Sequence, residues 1–332
     1  MPGTLTDEHA SMLQIRANIV NRDGIAGRPE ALGRNPCMPE PGLHIAQMQP
    51  WVRQFMAAQD LLFALEWEGK SSSTGSAWCR MRHRKGGLLI QIERPSAELF
   101  KQELAEVMAL ADLRTERSEE ILTQIDHQWA LWGSLLPLRP DLRPRTLEVL
   151  QAVVWLSVAV EMRFKQVLGV SRPQEFSPQV QPIITTPGHG SFPMGHATQA
   201  SAVAETLRLM LRLDSQDLLA RQLQRQAHRI AFNRIVAGVH FPVDLAAGMV
   251  LGQSLARYAH ACAQRLPTSV NEAHFREAEY CQHPGAWSSA ESWAAASMKM
   301  QQGGWILNRE AMQMPVWTQI WRQAQQEWAV QA

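Results

Sequence analysis

The sequence predicts a mainly α protein, a soluble helical bundle with one small β-hairpin near its N-terminus. Apolar residues recur every three or four positions through most of residues 96–267, which is the spacing of one helix face. The short segment 78–93 instead roughly alternates apolar and polar residues around a turn. With 332 residues, of which 45% are hydrophobic, the chain is long enough to bury a large core.

The N-terminal part of the chain has the least regular pattern. Residues 1–50 are rich in Pro, Gly and Asn, which predicts an irregular arm. Residues 51–68 predict a helix or a packed apolar segment. In the hairpin that follows, Gly86–Gly87 supplies the turn between an alternating strand and a short apolar one.

Helical periodicity begins at Ser96, a residue that can cap a helix N-terminus. Pro242 suits the first position of a later helix, with Asp244 in its first turn. Between the helices, residues 171–195 form a long loop with five prolines, and a loop of this length inside a compact chain is usually functional. The helical segments lie near 96–111, 121–132, 146–168, 196–210, 216–239 and 243–264.

Composition excludes several classes of protein. The net charge of +1 provides no basic field for nucleic acid. A membrane span needs roughly 20 consecutive apolar residues, and the longest runs here are much shorter. The N-terminus has no signal-peptide pattern, and the four cysteines lack paired spacing. We therefore expect a cytoplasmic protein with reduced thiols, no membrane span and no nucleic-acid partner.

Three regions are predicted along the chain. Residues 1–95 form an N-terminal arm and hairpin packed on the core, and residues 96–267 form a helical catalytic core. Residues 268–332 are rich in tryptophan and predict helices that cap the core or form a dimer interface. A homo-oligomer, such as a dimer, is therefore expected.

The residues with the clearest chemical meaning lie between 165 and 244. Planar guanidinium groups bind tetrahedral oxyanions at two oxygens, and a lysine adds a point charge. A Gly-His pair that opens a helix adds backbone N–H donors. Of two histidines, one can attack or ligate the central atom while the other transfers protons. The side chains concerned are Lys165, Arg172, His196, Arg234, His240 and Asp244.

These residues occur in three blocks that resemble the type 2 phosphatidic acid phosphatase and vanadium haloperoxidase superfamily. The family pattern is K-x6-R-P, then P-S-G-H, then S-R-x5-H-x3-D. The first block is intact here, from Lys165 to Arg172 and Pro173, and the second reads Pro-Met-Gly-His over 193–196. In the third, over 233–244, Asn replaces the leading Ser. The blocks span about a quarter of the chain, and three spaced blocks in order are far more specific than one short motif.

The resemblance implies paired four-helix bundles and a role for each matched residue. His240 would be the nucleophile of a phosphatase or the vanadium ligand of a haloperoxidase, and Asp244 would orient it. His196 would be the general acid and base. The oxygens of phosphate or vanadate would be held by the Gly195 N–H and by the side chains of Lys165, Arg172 and Arg234.

Met194 is the main departure from the pattern, because a thioether cannot donate the hydrogen bond that the family serine donates. One such bond to a charged group is worth about 1.5–3 kcal/mol. Ser191 or Thr198 could replace the donor. A methionine in the pocket could also be oxidised by peroxide, which counts against haloperoxidase turnover.

Three functions follow from this pattern. The first is a vanadate-dependent haloperoxidase that oxidises halide with hydrogen peroxide, with vanadate on His240 as cofactor. Its basis is the predicted solubility, the length and the N-terminal extension. The second is a soluble phosphatase that hydrolyses a phosphate monoester through a phosphohistidine and needs no cofactor. The third is a degenerate member without activity, suggested by Met194.

A zinc site is the competing interpretation of the same histidines. His189, His196, His240 and Asp244 could ligate a metal. It ranks below an oxyanion site because neighbouring lysine and arginine side chains repel a cation.

Overall fold

We analysed a computed structural model of the chain. It describes Met12, residues 15–16, 43–73, 75–125, 128–264, 266–307 and 314–329. The chain divides into a first unit, Met1–Ala46, and a second, Gln47–Ala332. The predicted irregular arm lies largely outside the described residues. Helix α1, Leu43–Gln47, ends one residue into the second unit, to which the rest of this account applies.

The regular elements of the second unit are mostly helical, which confirms the predicted class. The longer helices are α2 (Pro50–Phe63), α3 (Ala97–Ala109), α4 (Arg114–Thr123), α6 (Pro144–Leu168), α8 (Gly195–Met210), α9 (Leu218–Val236), α10 (Pro242–Ala263) and α13 (Pro315–Ala329). Shorter ones are α5 (Trp129–Gly133), α7 (Pro173–Phe176), α11 (Glu277–Cys281) and α12 (Ala290–Met298). The strands are β1 (Leu65–Lys70), β2 (Trp78–His83), β3 (Leu88–Glu93), β4 (Thr268–Phe275) and β5 (Gln301–Leu307).

Helix α8 lies at the centre of the helical core. It packs against α6, α9 and α10, while α2 and α13 both pack against α6. On α10 nearly every residue is buried, in keeping with its Ala, Gly and Leu composition. The residues of α8 and α10 that could bear chemistry are therefore held in the protein interior.

The strands form one mixed sheet in the order β1-β2-β3-β4-β5. Strands β2 and β3 are the predicted hairpin, and β1 extends it on one side. On the other side β3 pairs in parallel with β4, with Ile90 opposite Ala273 and Ile92 opposite Phe275. The sheet thus joins strands from the two ends of the described chain, and it packs against α10.

The prediction of a small hairpin therefore underestimated the sheet, which has five strands in the part of the chain that the structure describes. The segment 51–68 ends its helix at Phe63 and then begins strand β1. The C-terminal region, predicted as helices, also contains β4 and β5. Pairing β4 with β3 brings together residues about 180 positions apart, and a local pattern carries little information about such a distant partner. The three predicted regions as such stay a prediction.

Candidate active site

The candidate site forms where three chain segments meet at the starts of α8 and α10. Helix α6 ends at Leu168 and is capped by Gly169, whose left-handed φ of 56° suits a residue without a side chain. The proline-rich loop then runs to Met194, whose N–H donates to the Asp244 main-chain oxygen at 2.9 Å. Because of this bond, the start of α8 lies directly beside the first turn of α10.

His240 lies just before α10, and Asp244 fixes its ring. The Nδ1 of His240 is 2.9 Å from Oδ2 of Asp244, which also accepts the Phe241 N–H at 2.9 Å. The Nε2 is 2.8 Å from Nη1 of Arg172. Since a guanidinium only donates, Nε2 is the acceptor, and the ring proton is on Nδ1, where it is donated to Asp244.

Burial sets the protonation of this pair. The pKa of His240 lies well below its usual value because the ring is buried, and because Arg172 and Lys165 disfavour a second positive charge. Burial also raises the pKa of Asp244, to about 6. His240 is therefore a neutral imidazole at neutral pH, the form in which Nε2 is unprotonated and keeps its electron pair.

Lys165 and Arg172 are both buried and both bind main-chain oxygens of the loop. Lys165 Nζ donates to the oxygens of Gly190 and Ser191, each at 2.9 Å. Arg172 donates through Nη1 to the Val239 oxygen at 2.8 Å and through Nε to the His189 oxygen at 3.1 Å. Burial, with the nearby arginine, lowers the pKa of Lys165 to about 8. Lys165 thus links the loop to α6, and Arg172 links it to the segment just before α10.

His196 and Arg234 meet at the end of α4. The Nε2 of His196 donates to the Gln124 main-chain oxygen at 3.2 Å. Arg234 Nη2 donates to the Ile121 oxygen at 2.8 Å and to the Gln124 side chain at 3.2 Å. Burial and the charge of Arg234 lower the pKa of His196 to about 4. Electrostatic repulsion from His196 also lowers the pKa of His240, so the two histidines share one electrostatic environment.

Arg234 has hydrogen-bond donors that are not paired with any of the described residues. Its side chain is 1% exposed, and within the described part of the chain its Nε and Nη1 have no hydrogen-bond partner. Buried guanidinium donors are costly to leave unpaired. The N–H groups of these two nitrogens are suited to the oxygens of an anion.

The residues that could compensate for Met194 are already occupied. Met194 is fully buried and precedes α8. The Thr198 hydroxyl donates to the Met194 main-chain oxygen at 2.9 Å, and the Ser191 hydroxyl donates to the Ser171 oxygen at 3.0 Å. Neither hydroxyl is therefore free to donate to a ligand in this arrangement.

The remaining sequence candidates have supporting contacts. His189 Nδ1 lies 3.2 Å from Arg172 Nη2. Asn233, at the Ser position of the pattern, donates to the Gln124 side chain at 3.0 Å, so Gln124 bridges it to Arg234. Among the described residues no three His, Cys, Asp or Glu side chains are grouped to hold a metal ion, which disfavours the zinc alternative.

Two site residues were missed by the sequence analysis. Gln124 carries no motif and is found only through its contacts. Glu161 lies one helical turn before Lys165, a spacing that places both side chains on one face of α6. It is buried, and burial raises its pKa to about 7. Only the spacing to Lys165 could have indicated it.

A pocket lies beside the proline-rich loop. It has a volume of about 460 Å³ and is lined by Arg172 and His189, together with residues 169–171 and 186–188. His240 itself is only 4% exposed. Of the residues predicted to bind the anion, Arg172 lines this pocket, whereas His240 does not.

Comparison with known proteins supports the motif assignment. The family model of the PAP2 superfamily matches residues 147–267, which contain all three blocks, and this confirms the predicted resemblance for that part of the chain. A decaprenylphosphoryl-5-phosphoribose phosphatase of Mycobacterium tuberculosis is 28% identical over 127 residues, 38% of this chain and 67% of the relative. A transmembrane PAP2 type phosphatidylglycerolphosphate phosphatase from Bacillus subtilis matches with 14% identity and a TM-score of 0.27, over 64% of this chain and 88% of that one.

These comparisons correct the first-ranked function. The prediction of a haloperoxidase, with hydrogen peroxide and halide as substrates, is wrong, because the relative with 28% identity is a phosphatase. The classes oxidoreductase and peroxidase are wrong for the same reason. Vanadate as a cofactor and the homo-oligomer are untested and stay predictions.

The predicted cytoplasmic localisation is also contradicted. The mycobacterial relative with 28% identity is named for a decaprenyl-linked substrate, which is a lipid. Within the described ranges, no helix combines the length and the apolar character that a bilayer span requires.

Proposed function

We propose that this protein is a phosphatase that hydrolyses phosphate monoesters through a phosphohistidine at His240. The observation that carries the proposal is the state of the His240 ring. It is neutral, Asp244 binds its Nδ1–H, and Nε2 accepts from Arg172. A neutral ring with its proton on Nδ1 has its electron pair on Nε2, the nitrogen that would attack phosphorus once Arg172 turns away.

In the first step the Nε2 of His240 attacks phosphorus, and the bond to the ester oxygen breaks. Arg172 occupies Nε2 before substrate binds, so its guanidinium has to turn towards the phosphate oxygens. Asp244 then stabilises the positive charge of the phosphorylated ring. The free N–H groups of Arg234 and the charge of Lys165 support a position for the remaining oxygens.

Proton transfer is assigned to His196. In the free protein its pKa is lowered to about 4 by burial and by Arg234. A bound phosphate dianion counteracts Arg234 and raises the pKa, so that His196 can protonate the leaving oxygen. In the second step it takes a proton from the water that hydrolyses the P–N bond, and inorganic phosphate leaves.

The arrangement of cations and imidazole fits a tetrahedral oxyanion in general. Vanadate would therefore be held by the same side chains as phosphate, and we expect it to inhibit the hydrolysis competitively. The name of the mycobacterial relative adds a polyprenyl-linked sugar phosphate to the substrates to be tested.

The test is hydrolysis of p-nitrophenyl phosphate and of a panel of sugar and polyprenyl phosphates. We expect turnover, inhibition by vanadate, and an acid-labile phosphoenzyme that is absent from His240→Ala. His283→Ala is the matched control, because His283 lies outside the site. If none of the esters is hydrolysed, or if His240→Ala is as active as His283→Ala, the proposal is wrong.

A further inference from the structure

The carboxyl group of Glu161 is directed at the start of α8. Its Oε1 lies 2.6 Å from the point where a Cβ on Gly195 would stand, so a side chain larger than hydrogen at position 195 would collide with it. The Gln199 side chain donates to the same oxygen at 3.0 Å. Glu161 is 4% exposed, and Oε2 has no hydrogen-bond partner among the residues described.

An ionised carboxylate at this position would occupy the place of the proposed ligand. The start of a helix is where the proposed mechanism needs an anion to bind, and an ionised Glu161 would compete with a phosphate there. A neutral carboxyl has the opposite effect, because its O–H is a donor. Since Oε1 accepts from Gln199, the free Oε2 is the oxygen suited to carry the proton.

The surroundings of Glu161 allow the neutral form near pH 7. Burial raises its pKa to about 7, and the charge of Lys165 on the same helix opposes this rise. Lys165 in turn interacts electrostatically with three groups from other elements. These are His196 on α8, Asp244 on α10 and Arg172 in the loop.

We propose that the neutral carboxyl of Glu161 donates to the bound phosphate the hydrogen bond that Met194 cannot donate. Glu161 is then a further phosphate-binding residue of the proposed phosphatase, and the inference depends on that proposed function. Thr198 and Ser191 do not supply this donor, since both hydroxyls bind main-chain oxygens. A proton is consequently taken up whenever phosphate binds to the ionised form.

Sulfate is the probe, because it stays a dianion over the pH range used, whereas phosphate titrates. Calorimetry at pH 6 and pH 7.5, in two buffers of different ionisation enthalpy, measures both affinity and proton uptake. We expect Glu161→Gln to bind sulfate at pH 6 within about threefold of wild type, because the amide donates in place of the hydroxyl. At pH 7.5 we expect it to lose the part of the proton uptake that Glu161 contributes, while the uptake by His196 that the proposed mechanism requires remains. Glu161→Leu has no donor, so we expect its affinity at pH 6 to fall about tenfold or more.

Glu148→Gln is the matched control, a buried glutamate on α6 that pairs with Arg53 and Arg145 away from the site. Thermal melting of each variant verifies that it is folded. Wild-type affinity in Glu161→Leu, or unchanged proton uptake in Glu161→Gln, overturns the inference. If wild type hydrolyses esters and the Glu161 variants behave like wild type, only this inference fails. If wild type neither binds sulfate nor hydrolyses an ester, the proposed function fails.

Discussion

At the scale of single residues, the site depends on one ring held from both sides. Asp244 binds Nδ1 and Arg172 binds Nε2, at 2.9 and 2.8 Å. The first contact selects the tautomer. In the proposed reaction, the second covers the attacking nitrogen until an anion draws the guanidinium away. Both effects require the buried environment in which these bonds are not exchanged for water.

Asp244→Asn tests the first contact. An amide can accept the Phe241 N–H but no longer stabilises a positive ring, so we expect kcat for p-nitrophenyl phosphate to fall by at least about 100-fold, in line with the loss of an orienting carboxylate elsewhere. The melting temperature shows whether the fold is intact. Activity close to wild type in a folded variant would mean that Asp244 has no part in the reaction.

Met194→Ser restores the hydroxyl of the family pattern. We expect vanadate to inhibit this variant at about tenfold lower concentration, because a hydrogen bond to a charged group is worth about 1.5–3 kcal/mol. The inhibition constants of vanadate for wild type and for the variant measure this difference. Unchanged or weaker inhibition would show that residue 194 does not face the anion.

Glu103 gives a prediction of pH dependence. It accepts from the Tyr280 hydroxyl at 2.6 Å and from the Val243 N–H at 3.0 Å, and burial raises its pKa to about 8 from an ordinary 4.5. Between these values the folded state keeps a proton that the unfolded state has lost. The stabilising contribution is therefore complete below the unfolded pKa and is lost as the pH rises towards 8.

Glu103→Gln removes this titration. We expect the free energy of unfolding of wild type to fall, relative to the variant, by about 1 kcal/mol per pH unit between pH 5 and 8. Urea unfolding at several pH values measures the difference. Parallel curves for the two proteins would show that Glu103 is ionised in the folded state.

At the scale of elements, the site depends on the close approach of α8 and α10. A Cβ on Gly252 would lie 2.1 Å from both the Thr198 main-chain oxygen and the Ser201 hydroxyl. A Cβ on Gly248 would lie 2.5 Å from the Met194 main-chain oxygen. Main-chain atoms cannot move away as a flexible side chain can, so small residues are required along this contact.

Gly252→Ala should therefore force the two helices apart. We expect a loss of about 1–3 kcal/mol or more in the free energy of unfolding, the usual cost of overpacking. The control is Gly133→Ala, at an exposed helix end where a Cβ would meet nothing within 4 Å. Equal stability of the two variants in thermal and urea unfolding would contradict the close packing.

At the scale of the whole second unit, elements from the N-terminal and the C-terminal parts of its described chain pack together. Strand β4 joins the sheet beside β3, and α13 packs on α2 and α6. Trp317 of α13 is fully buried, and its Nε1 donates to the Ala259 oxygen at 2.8 Å. The C-terminal segment is therefore part of the hydrophobic core.

Trp317→Ala tests this role. We expect a loss of about 3–5 kcal/mol in the free energy of unfolding, as for other large buried aromatic residues. Trp51→Ala is the matched control, because Trp51 is 50% exposed, and it should cost less than about 1 kcal/mol. A small effect at Trp317 would mean that α13 contributes little to stability.

The sequence by itself determined the features that depend on neighbours along the chain. Helical periodicity, the Ser96 cap, the hairpin turn and the start of α10 at Pro242 all arise from contacts within a few residues. The three blocks could be recognised for the same reason, since their spacing is written in the chain.

Only the tertiary structure decided which atoms meet. That Arg172 covers Nε2 of His240, that Arg234 keeps two donors free, that the Thr198 and Ser191 hydroxyls are occupied, and that Glu161 reaches Gly195 all depend on side chains from different helices. The pairing of β4 with β3 is of the same kind. Such contacts result from packing between segments that are distant in the sequence. The residues of one segment do not determine this packing without those of the partner segment, so a local pattern cannot predict it.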